Sequence, residues 1–135
     1  MIIDGKKEAQ LFRDEIKKEI ESIKSKSNKV PSLSVILIGD YAPSQIYVKN
    51  KEKNAKEVGI NSKVIKYSKD VSEQEVLNKI KELNDNDAVS GILVQLPLPP
   101  QINKEKIINT INPLKDVDGF HPINVGNLSS GYNAT

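Results

Sequence analysis

Cysteine is absent from the 135-residue chain, and histidine occurs only once, as His121. Without cysteine the chain can form no disulfide, no thiolate nucleophile and no thiolate metal site. One histidine among scattered carboxylates also argues against a transition-metal centre. The sequence therefore predicts no metal site.

The chain also lacks a large charge excess, a long apolar run and a glycine-rich phosphate motif. Its 20 Lys and Arg against 18 Asp and Glu leave a net charge of +2, which is too small to indicate nucleic-acid binding. No apolar stretch approaches the roughly 20 residues that span a bilayer, and the start of the chain lacks a targeting-signal pattern. We therefore expect a cytoplasmic location and no membrane partner. The seven glycines form neither a dinucleotide nor a P-loop spacing.

What the chain does contain is typical of one globular domain, with 37% hydrophobic and 28% charged residues. Short apolar, β-branched runs predict strands at 33–39, 62–67 and 88–95. Capping residues and apolar periodicity predict helices that begin after Asp4, at Pro43, after Ser72 and near Lys104. Strands that alternate with helices indicate an α/β fold, with three α/β/α layers around a mostly parallel sheet. The stretch 112–135 has little core-forming pattern, and we predict it to be irregular.

Lys51 is the unusual lysine of the predicted second helix. At 100° per residue it falls on the apolar face, beside Ser44 and Tyr47. Its neighbour Lys49 projects away from that face. A lysine on an apolar face either extends to water, which is the commoner outcome, or becomes a desolvated amine that can carry protons near neutral pH. The row of polar groups favours the lining of a site.

Gln95 is the first polar residue after the third predicted strand. The carboxyl ends of parallel strands meet at one edge of the sheet, where open α/β sheets bind ligands. We therefore expect Gln95 to converge with Ser44, Tyr47 and Lys51, although it can equally satisfy nearby backbone groups. The segment 95–100, "QLPLPP", could alternatively be a polyproline ligand, but it directly continues a buried strand.

The segment 115–122, "KDVDGFHP", is the third polar cluster. Asp116 and Asp118 would share a face if the segment were extended. A carboxylate can accept two parallel hydrogen bonds from a guanidinium or an aminopyrimidine edge. His121, beside a proline, is more typical of a structural residue, and we assign it no role.

Three segments, in this order, resemble the bifunctional methylenetetrahydrofolate dehydrogenase/methenyltetrahydrofolate cyclohydrolase family. They are "APSQIYVKNKEKNAKEVGI" at 42–60, "GILVQLPLPP" at 91–100 and "INPLKDVDGFHPINVGNL" at 111–128. Members of this family oxidise methylenetetrahydrofolate with NADP, or sometimes NAD, and hydrolyse the methenyl product to formyltetrahydrofolate. The resemblance implies folate one-carbon interconversion, with tetrahydrofolate derivatives as ligands.

The resemblance also implies roles for individual residues. Lys51 would be the catalytic lysine, with Tyr47 and Gln95 around it. Asp118 would bind the edge of the pterin, and Tyr47 would pack against the folate ring system. Ser44 and Pro97 are carried over only as residues that line the substrate site.

Members of the family continue into a Rossmann-type domain that carries the dinucleotide site. The resemblance therefore divides this chain into a folate-binding catalytic domain, 1–120, and a linker toward the missing domain, 121–135. We expect NADP to bind to that second domain, no cofactor to bind to this chain alone, and the chain alone to be inactive as a dehydrogenase. The intact enzyme is expected to be a homodimer and this chain alone a monomer.

Two alternatives stay open at this point. The chain could be a non-catalytic folate-binding module or a truncated, inactive fragment of the enzyme. It could also be a plain structural or interaction domain that uses "QLPLPP" or its basic helix surface. Binding of tetrahydrofolate separates the last possibility from the others.

Overall fold

The computed structural model describes residues 4–133. Its helices are α1 (Gly5–Ser27), α2 (Ala42–Val58), α3 (Glu73–Asp85), α4 (Lys104–Thr110) and α5 (Pro122–Ser129), with a 3-10 turn at Pro113–Lys115. Its strands are β1 (Ser32–Ile38), β2 (Asn61–Tyr67) and β3 (Gly91–Val94). No helix among these residues is long and apolar enough to span a bilayer.

The three strands form one parallel sheet in the order β2-β1-β3. In the register of the sheet, Leu33 lies opposite Ser62 on one side and Gly91 on the other. Because all strands run the same way, the segments that follow Ile38, Tyr67 and Val94 leave from a single edge. The prediction of an α/β fold with a parallel sheet is confirmed.

Side chains of β1 alternate between two cores, as the two-residue period of a strand requires. Ile36 and Ile38 point into the larger core, which includes Ile80 of α3. Val35 and Leu37 point into a smaller core against Val48 of α2. The sheet is therefore buried on both faces, which explains why its central strand is a continuous apolar run. Helices on both faces confirm the three predicted layers.

The predicted helix ends are also present. The Asp4 carboxylate accepts hydrogen bonds from the backbone N–H groups of Lys6 and Lys7, at 3.1 and 3.2 Å. The Ser72 hydroxyl accepts one from Glu75 N at 3.2 Å. Gly59 ends α2 with φ +90, a conformation that glycine adopts without strain.

Two expectations need correction. The predicted third strand is shorter, because its hydrogen-bonded part is only Gly91–Val94. The stretch predicted to be irregular contains the 3-10 turn and α5, and α5 buries Asn124.

Candidate functional site

Lys51 and Gln95 meet at the carboxyl edge of the sheet. The loop after β1 is short, so α2 begins at Ala42, and Lys51 lies on this helix. The Lys51 ammonium group donates to Gln95 Oε1, with a distance of 3.4 Å between Nζ and Oε1. The bond is long, and both side chains are half-buried. The predicted convergence of these two residues is thus present in the structure.

Gln95 is also held by the backbone around it. Its Nε2 donates to Leu96 O at 2.8 Å, and its backbone N–H donates to Ile36 O at 2.9 Å. The buried hydroxyl of Ser44 donates to the same Leu96 carbonyl at 3.3 Å. Gln95 therefore satisfies nearby backbone and also contacts the lysine. Ser44 ties the start of α2 to the turn after β3.

Tyr47 lies on α2, one turn before Lys51, and its side chain is open to solvent. Its exposed fraction is 61%, whereas Ser44 and Val48 on the same helix are buried. An exposed phenol ring on a rigid helix, beside a half-buried amine, offers a flat surface on which a planar ligand can stack. Ile46 is exposed as well, and the helical projection places it on the far side of α2.

Asp118 interacts electrostatically with Lys51. It lies on the segment between the 3-10 turn and α5, and its side chain is exposed. Partial desolvation raises the pKa of its carboxyl above the usual value; the positive charge of Lys51 opposes the shift and the negative charge of Asp116 adds to it. The influence of Lys51 shows that residues 67 positions apart in the chain share one electrostatic environment.

Asp116 is buried whereas Asp118 is exposed, contrary to the expectation that both carboxylates lie on one face. Asp116 is only 6% exposed. Its Oδ2 accepts hydrogen bonds from His121 N at 2.8 Å and from Asn124 Nδ2 at 3.0 Å. Asp116 therefore binds its own chain, and Asp118 is the carboxylate that remains open to a ligand.

His121 has a structural position, as its sequence context suggested. It is buried and forms the N-cap of α5, where its Nδ1 accepts a hydrogen bond from Ile123 N at 3.2 Å. A ring nitrogen engaged in this way is not available to a ligand without breaking the cap.

Pro97 is exposed on the turn after β3, and the Leu96–Pro97 peptide bond is cis. With Gly39, Tyr41 and Lys69 it lines a shallow hollow beside the carboxyl edge of the sheet. The following residue, Leu98, packs against the larger core. The segment "QLPLPP" is thus a folded turn, which gives no support to the polyproline-ligand alternative.

Sequence reasoning missed the residues that support the Asp118 segment, among them Lys115 and Asn124. Their contacts are to backbone atoms and to a side chain brought close only by folding. No periodicity or motif signals such contacts. Among the described residues there is also no cluster of His, Asp or Glu side chains that could hold a metal ion.

The comparison with known families matches this arrangement. Residues 3–118 match the model of the tetrahydrofolate dehydrogenase/cyclohydrolase catalytic domain. The chain belongs to this family. The predicted family resemblance is therefore confirmed.

Individual relatives give the same result. The bifunctional protein FolD of Pelagibacter ubique is 59% identical over 135 residues, which are 100% of this chain and 48% of that protein. The crystal structure of the bifunctional enzyme FolD from Campylobacter jejuni superposes with a TM-score of 0.94 at 46% identity, covering 97% of this chain and 46% of that one. The FolD of Trypanosoma brucei, solved with NADP cofactor and inhibitor, gives 0.91 at 33% identity, covering 95% and 43%. The chain thus spans about half the length of the relatives it matches.

Proposed function

We propose that this chain supplies the folate-binding catalytic part of a bifunctional methylenetetrahydrofolate dehydrogenase/methenyltetrahydrofolate cyclohydrolase. The observation that carries the proposal is the hydrogen bond between Lys51 and Gln95 at the carboxyl edge of the parallel sheet, with Asp118 within electrostatic reach of Lys51. An amine and an amide from two separate segments thus meet where this class of fold binds ligands. Family membership supplies the substrate class.

Asp118 and Tyr47 are proposed to bind the substrate. An ionised carboxylate accepts two parallel N–H bonds, which matches the aminopyrimidine edge of a pterin. The exposed ring of Tyr47 can stack on the flat folate ring system. Ser44 and Pro97 are proposed to shape the site, Ser44 through its bond to Leu96 O and Pro97 through its exposed position on the turn.

Lys51 is proposed to move the proton in the hydrolytic step. Water attacks the methenyl carbon of the cationic substrate, a carbon–oxygen bond forms, and the water proton passes to a neutral Lys51 amine directly or through a second water. The carbon–nitrogen bond then breaks: the hydroxyl oxygen forms the formyl carbonyl and loses its proton, the electron pair of the broken bond goes to the ring nitrogen, and that nitrogen takes up a proton. Gln95 Oε1 holds the lysine in place. The nearby substrate cation itself favours the neutral amine.

For the oxidative step, a bound nicotinamide would supply the acceptor of a hydride from the methylene carbon. Here protein side chains mainly position the two reactants. We place the NADP site outside this chain, because its glycines form no dinucleotide motif. The Trypanosoma brucei relative, solved with NADP, supports this choice of cofactor. A cytoplasmic location and a homodimeric intact enzyme likewise remain proposals.

Two measurements test the proposal. Calorimetric titration with tetrahydrofolate tests binding to the 135-residue chain itself. A chimera, in which this chain replaces the matching part of Pelagibacter ubique FolD, tests turnover; the 59% identity favours a compatible join. We expect binding by the chain and both activities in the chimera.

The same measurements separate the alternatives. Binding without any turnover in a folded chimera would identify a non-catalytic folate-binding module. An absence of binding in both proteins would leave only a structural or interaction domain and would refute the proposal.

A further inference from the structure

Asp118 depends on its neighbours for its position. Within residues 4–133 no hydrogen bond reaches its carboxylate, and its interactions are the electrostatic ones with Lys51 and Asp116. The next residue, Gly119, has φ +67 and open space around its Cα. A side chain that must bind a ligand edge in two places needs a fixed backbone. We call residues 116–121 the Asp118 loop and ask what fixes it.

The first attachment is Lys115, immediately before the loop. Its ammonium group donates to three carbonyl oxygens at the end of α3, those of Leu83, Asn84 and Asn86, at 3.0, 2.7 and 2.9 Å. These carbonyls lie at the partly negative end of a helix, and α3 has no basic residue of its own in its last turn. Lys115 therefore anchors the loop to a different element through all three of its donors.

The second attachment closes the loop on itself. The buried Oδ2 of Asp116 accepts from His121 N and from Asn124 Nδ2, so one carboxylate oxygen joins the two ends of the loop. Asn124, which is 1% exposed, also donates to Pro113 O at 2.9 Å. The start of α5 is thereby tied to the segment that precedes the loop.

The third attachment is to the sheet. Asp116 forms an isolated parallel bridge with Ile92 of β3, so the segment runs beside this strand like a very short fourth strand. Gly91 leaves room beside this segment: a Cβ built there would stand 2.5 Å from Val117 Cγ1, so a larger residue would force the Val117 side chain to move.

We propose that Lys115, Asp116 and Asn124 are positioning residues, which hold the Asp118 loop against β3 and α3 and so fix the backbone that carries the Asp118 carboxylate. The inference rests on the proposed function, because it gives the loop a role in folate binding. None of the three contacts the ligand; they act through Asp118.

The test is a double-mutant cycle in tetrahydrofolate affinity, measured by calorimetry on the 135-residue chain. The four proteins are the parent, Asp116→Ala, Asp118→Ala and the double variant. We expect Asp116→Ala to weaken binding roughly tenfold, because a misplaced binding group loses affinity. In the Asp118→Ala background the same substitution should have no further effect, because the group it positions is gone.

Matched variants separate positioning from general destabilisation. Asp116→Asn keeps one oxygen acceptor for His121 N and Asn124 and should restore most of the affinity. Ile20→Ala destabilises the fold in α1, far from the loop, and should leave the affinity of the folded protein unchanged. If Asp116→Ala fails to fold, Lys115→Met should weaken binding in its place, and Lys115→Arg, which keeps the charge and the donors, should recover part of it.

A measurement without ligand keeps the inference independent of the proposed function. Backbone 15N order parameters of Asp118 and Gly119 should fall below about 0.6 in Asp116→Ala, the range of flexible backbone, while those of β3 stay unchanged. Unchanged order parameters would overturn the inference. So would an Asp116→Ala variant that binds tetrahydrofolate as tightly as the parent, or losses of binding free energy that are additive in the double-mutant cycle. If the parent itself fails to bind tetrahydrofolate, the proposed function fails, and the order parameters alone decide the role of the loop.

Discussion

The two sides of the site are held in different ways. Lys51 stands on a regular helix whose buried residues include Ser44, Val48 and Ala55. Among residues 4–133, the only side-chain hydrogen bond of Lys51 is the 3.4 Å contact to Gln95. Asp118 stands on a loop whose direction is set by hydrogen bonds from residues before and after it. The backbone of Lys51 is thus fixed by its helix, but its ammonium group is held by only one long hydrogen bond. The position of Asp118, in contrast, depends on the attachments of its loop.

This difference suits two kinds of work. A group that transfers protons must change its partners during the reaction, so one long hydrogen bond is an advantage. A group that binds a ligand edge in two places must not move, so its backbone needs several attachments. We therefore expect substitutions at Lys51 to affect turnover and substitutions at Asp118 to affect binding.

The largest expected effect is that of Lys51→Met in the chimera with Pelagibacter ubique FolD. Removing the proton-carrying amine should lower cyclohydrolase turnover by about 10²- to 10⁴-fold, the usual contribution of a general acid–base group. Tetrahydrofolate affinity should change little. Lys49→Met, two residues away on the exposed side of α2, is the matched control and should behave like the parent. Equal turnover in both variants would remove Lys51 from the mechanism.

The second effect is the reverse one, a loss of binding at Asp118. Asp118→Ala should weaken tetrahydrofolate binding by at least about 10- to 100-fold, because even one hydrogen bond to a charged acceptor is worth about 1.5–3 kcal/mol. Turnover at saturating substrate should fall much less. The control is Asp87→Ala, an exposed aspartate before β3, at the opposite edge of the sheet. If Asp118→Ala lowered turnover but kept the affinity, the contrast between the two sides of the site would be wrong.

The same contrast explains how much of the molecule was predictable from sequence. The fold and the Lys51 side were predicted, because apolar periods, capping residues and Gly59 are local signals of helices and strands. The 3.6-residue period alone separated Lys51 from Lys49. Gln95 followed from topology, since parallel strands bring their carboxyl ends to one edge.

The Asp118 side was predicted only through the family resemblance. Lys115 binds carbonyls of α3, roughly thirty positions earlier in the chain, and no local pattern encodes such a pairing. Asp116 and Asp118 look equivalent in the sequence, but only folding buries one of them. α5 was missed because it has no periodic apolar face that becomes buried. Its buried residue is Asn124, whose polar side chain attaches the helix to Asp116 by a hydrogen bond.

A third and smaller effect is a shift in the pH dependence of binding. Asp118 binds the ligand edge when ionised, so affinity should fall as pH drops through its pKa. Desolvation and Asp116 raise this pKa, while Lys51 lowers it. Lys51→Met should therefore move the loss of affinity to higher pH, and Asp116→Asn should move it to lower pH. Calorimetry across the acidic pH range measures these shifts. Protonation of tetrahydrofolate itself affects all variants equally, so it does not change the difference between them. Shifts of the same sign in both would contradict the assignment.

The smallest expected effect is a gain of stability in Asp118→Asn. Partial desolvation raises the pKa of Asp118 in the folded chain above its unfolded value. The ionised carboxylate therefore lowers the free energy of unfolding. This loss of stability is absent below the pKa that Asp118 has in the unfolded chain, grows as pH rises to its pKa in the folded chain, and stays constant above that pKa. Because the side chain is exposed and Lys51 offsets part of the penalty, the gain near neutral pH should be well below about 1 kcal/mol.

Urea unfolding near neutral pH and at acidic pH measures this gain, which should vanish in acid. A loss of stability near neutral pH would mean that the Asp118 carboxylate supports the fold, as Asp116 does. A small gain would mean that the fold tolerates an unfavourable charge at this position, which is expected of a group kept for a ligand. The sign of this small stability difference therefore decides whether the two aspartates have separate roles, Asp116 in stabilising the fold and Asp118 in binding the substrate.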